Sequence, residues 1–244
     1  MLISFERHFA FIHIQKAAGI SIHRALMRAA PDAQRRLPGL EASDDPLKNR
    51  HMFASDLQAF LGADAWSGLF TFAFVRNPYS RLVSWYNMCI ERPTTPFMKL
   101  VKNETKSFDD FLHLTRGRAA RTTFNQADYV TDNSGDVIVN FIGRFETLQN
   151  DFDAVCQQLG IKCTLPHINR TRSVDYRSYY NGRTRKLVAE RFQRDIELFG
   201  YSFDGPERSV GSGGQFTSPG AASRRQASSS RAAIRPSNAL STDI

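Results

Sequence analysis

The sequence predicts an α/β protein: three layers, with a central, mostly parallel sheet flanked by helices. Two observations carry this. Three short apolar runs, at 9–14, 70–75 and 137–141, have strand length. Each is followed by an amphipathic segment of helical length, and alternation of this kind gives parallel strands covered on both faces. A third observation bounds the class: 41% of the 244 residues are hydrophobic, enough for a globular core.

The first run ends abruptly at Gln15-Lys16, and residues 19–30 then carry Ile22, Ala25, Leu26 and Ala29 on one helical side, with Pro31 after them. Residues 31–50 read as an irregular polar excursion. A short helix follows around Leu57, Phe60 and Leu61. The run at 70–75 is the clearest strand. It leads through Arg76-Asn77-Pro78 into a helix with Leu82, Val83, Trp85 and Tyr86, and proline is tolerated at such a first turn. Ser107 to Asp110 reads as another helix start, with Phe111 and Leu112 as its apolar side. The third run, 137–141, continues toward Phe145. Leu148, Phe152, Val155 and Leu159 make one helical face, and Val188, Phe192, Ile196 and Phe199 make a last one that Gly200 stops.

These elements place one domain at 1–204. Residues 205–244 are rich in Ser, Ala, Gly and Arg, almost without large apolar side chains, and are expected to be a disordered tail. The formal net charge is +8; five arginines and two acids of the tail account for +3 of it. A basic body suits an anionic ligand, though a basic surface without one reads the same way. The three cysteines form no CxxC pair, which argues against a disulfide framework and fits a reducing compartment. The early Glu6, Arg7 and His8 are unlike a signal peptide, and no apolar run is long enough to span a membrane, so cytoplasmic residence is the expectation. Peripheral membrane contact and oligomeric state stay open.

Two strand–loop–helix segments carry the chemistry. In the first, Gln15-Lys16-Ala17-Ala18-Gly19-Ile20-Ser21 joins a strand to a helix N-terminus, where free N–H groups and the dipole attract phosphate. Small residues let an oxyanion approach, Lys16 adds charge and Ser21 a hydroxyl. The order is not G-x-x-x-x-G-K-[ST], so this is not a Walker A loop. Alone, the segment also reads as a βα turn with a surface lysine. In the second, Arg76 leaves a buried strand and Ser84 follows eight residues later, about two helical turns on. A guanidinium fork and a hydroxyl suit a phosphate monoester, although an arginine at such a place also serves structural ion pairs.

In this order, the two segments resemble the nucleotide-binding motifs of sulfotransferases of the carbohydrate type, which include the heparan-sulfate 2-O- and 6-O-enzymes and bacterial relatives. The second follows their pattern R-[ND]-P-x-x-R-x-x-S through Arg76, Asn77, Pro78, Arg81 and Ser84. The likeness extends over residues 9–203, with further matches at 142–148 and 195–201. It implies a P-loop-like fold and sulfuryl transfer from PAPS (3′-phosphoadenosine 5′-phosphosulfate) to a hydroxyl, on a carbohydrate, by in-line displacement without a metal. It implies that Lys16, Ala17, Ala18, Gly19, Ile20 and Ser21 hold the 5′-phosphosulfate, with Lys16 stabilising the leaving oxygen. Arg76 and Ser84 would hold the 3′-phosphate, and Phe145 would pack on adenine. Arg170 and Arg172 would lie in a late loop over the nucleotide. His51, between the two motifs, stands where those enzymes place a histidine base; Glu41 is the carboxylate alternative, and His13, His23 and His167 are weaker candidates. Ala17 and Ile20 replace threonines common in the family, which implies a weaker first loop. The competing readings are a P-loop-type kinase or NTPase and a basic nucleic-acid-binding protein; no nucleic-acid partner is expected. The basic residues between Lys99 and Arg121 read as a solvated face or a cleft for an acidic glycan.

Overall fold

The computed structural model describes residues 1–39, 51–116, 125–166, 175–206 and 214–217. In chain order the first half comprises β1 (Leu2–Ser4), β2 (Phe9–Ile12), α1 (Gly19–Ala29), α2 (Ala54–Leu61), α3 (Ala63–Ser67) and β3 (Phe70–Val75). Then come α4 (Pro78–Glu91), α5 (Pro96–Glu104), α6 (Phe108–Leu114), β4 (Phe141–Arg144) and α7 (Leu148–Gln158). The chain closes with α8 (Gly182–Arg191), α9 (Gln193–Phe199) and the short strands β5 (Tyr201–Ser202), β6 (Gly205–Pro206) and β7 (Gln215–Phe216).

The main sheet has the order β1-β2-β3-β4-β7. Its three inner strands are parallel, as the alternating pattern predicts, and antiparallel strands close both edges. Phe11 stands beside Phe72, which stands beside Phe141, so β2, β3 and β4 finish at one edge of the sheet. From that edge the chain continues into His13, Arg76 and Phe145.

Alternation along the strands divides the side chains by size. One face carries Phe9, Phe11, Phe72, Phe74 and Phe141 and packs on Ile22 and Leu26 of α1 and Phe152 and Val155 of α7. The other carries Ala10, Ile12, Ala73, Val75 and Ile142 and packs on Leu57, Trp66, Tyr129 and Phe199. Burying each phenylalanine stabilises the fold by about 1.5–3 kcal/mol. A third cluster joins Leu82 and Trp85 of α4 to Phe108, Phe111, Val188 and Phe192. It anchors α4, and with it the turn that begins at Arg76.

The structure departs from the sequence reading at several places. β1 was not anticipated; it is three residues long and pairs antiparallel to β2. The helix α5 was also missed, although Thr95 caps it and Pro96 opens it, a recognisable start. The third strand begins at Phe141 rather than 137, because the Asn140 side chain takes the hydrogen of Thr71 N (2.8 Å). The last helix is two, since Phe192 leaves helical angles (φ −117°, ψ 28°) while its ring stays buried. Finally, strands β6 and β7 lie beyond residue 204, inside the segment read as a disordered tail. β7 pairs with β4, and the Phe216 ring lies 4.9 Å from that of Phe141.

Gly143 is required by packing. A Cβ there would lie 2.5 Å from the Phe74 ring. We expect Gly143→Ala to lower stability by ~1–3 kcal/mol through overpacking. Urea unfolding checks this; a midpoint equal to wild type would show that the ring moves aside freely.

Candidate active site

The loop after β2 is bent rather than extended. Lys16 (φ 67°) and Ala18 (φ 62°) adopt left-handed angles, and Ala17 between them is buried. Successive backbone N–H groups in such a turn form an anion-binding concavity. Ala18 is the N-cap of α1 and no side chain caps that helix; Ser21 N donates to the Ala18 carbonyl (2.9 Å), which leaves the N–H groups of Gly19 and Ile20 at the loop. Gly19 has a packing reason: a Cβ there would lie 1.9 Å from the His13 ring. Ser21 is buried and Ile20 is half exposed.

Arg76 reaches this loop from β3. Its Nη1 donates to the carbonyl of Lys16 (3.3 Å), and its Nε and Nη2 donate to Ser80 Oγ at 2.9 and 2.7 Å. The guanidinium lies over the Phe145 ring, 4.1 Å from its centroid. The three strand ends therefore meet at one cationic group. Ser84 lies one turn beyond Ser80, so Ser80 is the hydroxyl that fixes Arg76 here.

The two cations oppose each other. Burial and the neighbouring Arg76 charge lower the Lys16 pKa to about 8. Burial also lowers that of Arg76 to about 10, against the pull of Glu146. The Lys16 ammonium lies 3.4 Å from Met88 Sδ, a weak acceptor. An arriving anion would relieve this repulsion.

Beneath the loop lies a polar hub that the sequence did not reveal. Arg81 is 1% exposed and its Nε donates to the Gln15 carbonyl (3.1 Å). Burial disfavours its charge and Asp195 favours it. Asp195 is itself fully buried and accepts from Ala127 N (2.9 Å) and Gln126 Nε2 (3.1 Å). Gln126 in turn bonds both N–H and C=O of Arg76, at 2.9 and 2.8 Å. Asn77 caps α4 by accepting from Tyr79 N, and Glu146 accepts from Asn77 N.

His51 is 6% exposed, with Nδ1 2.8 Å from the His13 carbonyl. A carbonyl only accepts, so Nδ1 carries the hydrogen, and in the neutral ring the lone pair is on Nε2. The His13 and His51 rings meet edge-on at 4.6 Å. His13 therefore lies past the end of β2, at the loop, not inside the strand as the sequence suggested. His23 sits on α1, beside Arg35. Arg170, Arg172, Glu41 and His167 lie outside the described residues.

Two surface depressions, of about 370 and 120 Å³, run along β7 and contain none of Lys16, Arg76 or His51. Among the described residues, no group of three or more His, Cys, Asp or Glu side chains is placed to hold a metal, and no helix is long and apolar enough to cross a membrane.

The profile of the sulfotransferase family matches residues 1–202, most of the chain and the whole of this loop cluster. The chain belongs to the sulfotransferase family. Its activity class is therefore transfer of a sulfuryl group. No curated protein and no solved structure matches it. Within the family frame, the sulfotransferase's sequence motifs named Lys16 and Arg76. They gave no sign of Ser80 or Gln126; Asp195 opens the matching segment 195–201 and Arg81 is in the motif pattern, but only their burial shows what they do.

The buried pair generates a test. We expect Arg81→Met to cost ~3–5 kcal/mol by leaving Asp195 uncompensated, and Arg81→Met with Asp195→Asn to recover part of that loss. Denaturant titration of these two variants and of Asp195→Asn alone checks it; additive losses would mean that the two side chains act independently.

Proposed function

We propose that this sulfotransferase takes its sulfuryl group from PAPS and passes it to a hydroxyl, on a carbohydrate acceptor, with His51 as general base. The observation that carries the donor reading is the pair of confined cations, Lys16 and Arg76, joined at adjacent strand ends by the 3.3 Å bond. Burial disfavours both charges, a cost that a bound polyanion would offset, and this supports the reading.

When bound, PAPS supplies the activated sulfuryl group and leaves as PAP. The residues of this chain then have distinct tasks. Lys16, with the N–H groups of Ala17 to Ile20 and the Ser21 hydroxyl, would hold the 5′ end, and the ammonium would stabilise charge developing on the leaving oxygen. Arg76 and Ser84 would bind the 3′-phosphate, with Ser80 keeping the guanidinium in place. Phe145, already covered on one side by Arg76, would pack on the base. Nε2 of His51 would take the proton of the acceptor hydroxyl, its tautomer held by the His13 carbonyl. Arg170 and Arg172 remain donor-contact candidates by family resemblance alone.

Calorimetric titration of PAP tests the donor site. We expect micromolar or tighter binding to wild type without magnesium, and at least ~10-fold weaker binding to Arg76→Ala, equivalent to ~1.4 kcal/mol. The Lys16 ammonium is present below its free-protein pKa of about 8 and is lost above it. PAP affinity should therefore fall as pH rises through about 8, by up to ~10-fold per unit, and Lys16→Arg should remove that fall. ATP binding in place of PAP would favour a kinase.

The base is tested separately. His51→Ala should leave PAP affinity near wild type and lower turnover ~10²–10⁴-fold, measured with labelled PAPS on a panel of desulfated glycosaminoglycans. Unchanged turnover would remove His51 from the chemistry.

A further inference from the structure

Away from the loop cluster, two thiols meet at the far end of α7. Cys156 lies on its last turn, and Cys163 lies in the segment without regular secondary structure that follows. Their sulfurs are 2.9 Å apart. Backbone and packing impose this approach. Ile161 N donates to the Cys156 carbonyl (3.0 Å) and Gly160 N to that of Gln157 (3.1 Å), with Gly160 in the left-handed conformation (φ 62°) that turns the chain back. Ile161 and Leu165, either side of Cys163, are both buried in the core face that carries the sheet phenylalanines. Neither cysteine can drift far from the other while these anchors hold.

We propose that Cys156 and Cys163 are a redox modification site, closing to an intramolecular disulfide on exposure to a low-molecular-weight disulfide such as oxidised glutathione. A disulfide bond is about 2.05 Å long, so closure needs a movement of less than ~1 Å. The two thiols are unequal in the way that exchange requires. Cys156 is buried and Cys163 is half-buried, so only the latter meets solvent readily. Either sulfur can donate its hydrogen to the other; with the buried Cys156 as donor, that hydrogen favours a thiolate at Cys163 and holds its own sulfur protonated.

The exchange balances in two steps. The Cys163 thiolate attacks one sulfur of the oxidant, forming a mixed disulfide and releasing one small thiolate. Cys156 then gives up its proton and attacks the Cys163 sulfur, forming the internal bond and releasing the second small thiol. The protein loses two hydrogens and two electrons, and the oxidant becomes two thiols. Cys89 does not take part: it is fully buried, and burial pushes its thiol up to about 12.

Trypsin cuts after Lys162, which puts Cys156 and Cys163 on separate peptides, 145–162 and 163–170. The full chain is treated with excess oxidised glutathione, quenched in acid, alkylated under denaturing conditions and digested. Mass spectrometry should then show these two peptides joined, with Cys89 alkylated, and the joined species should disappear after dithiothreitol. Cys156→Ala should instead accumulate a glutathione adduct on Cys163, and Cys163→Ser should leave Cys156 alkylated. Alkylated thiols at both positions of the wild type, or a glutathione adduct that persists on its Cys163, would overturn the proposal. The wild-type measurement decides even if a variant fails to fold, and it is independent of the donor and acceptor.

Discussion

Arg81 is the constraint on which the site depends. A guanidinium buried to this extent is costly unless its charge and its donors are answered. Here Asp195, brought from α9, answers the charge, and the Gln15 carbonyl takes a donor. The same carboxylate holds Gln126, which clamps the peptide of Arg76. One buried polar group thus connects both motif loops, the crossing at 126–127 and the final helix. Any rearrangement of one loop must break hydrogen bonds inside the core, where an unmade bond is expensive. Rigidity at the site comes from this network.

The sheet supplies the other half of the arrangement. Its aromatic face holds α1 at a fixed height above the strand ends, and Gly143 lets Phe74 lie across β4. That height sets where the N-terminus of α1 opens. His13 then fills the space beneath Gly19, and its carbonyl orients His51. A substitution at Gly19 would therefore act on a histidine 38 residues away in sequence from His13.

Holding Lys16 and Arg76 here is locally unfavourable: burial and, after it, the Arg76 charge lower the Lys16 pKa, and burial lowers that of Arg76. Strain of this kind is retained where a partner of opposite charge relieves it. The stable parts of the fold offset it: three hydrophobic clusters and an interior hub hold two like charges together.

The sequence by itself determined the parallel three-strand centre, the helices after each strand, and the two residues that carry positive charge to the strand ends. These follow from local pattern: apolar runs of strand length, a helix N-terminus after each, and Lys16 and Arg76 at the junctions. Edge strands were not legible, because β1 and β7 are too short to show a period. The pairing of β7 depended on one phenylalanine in a polar stretch. The partners of the site were not legible either. Ser80, Gln126, Asp195 and the His13 carbonyl are recruited across 4 to 69 residues of sequence. Nothing local marks a residue as the answer to a distant buried charge. Only the tertiary structure decided those contacts, because burial creates the need for them, and burial exists only once the chain has folded.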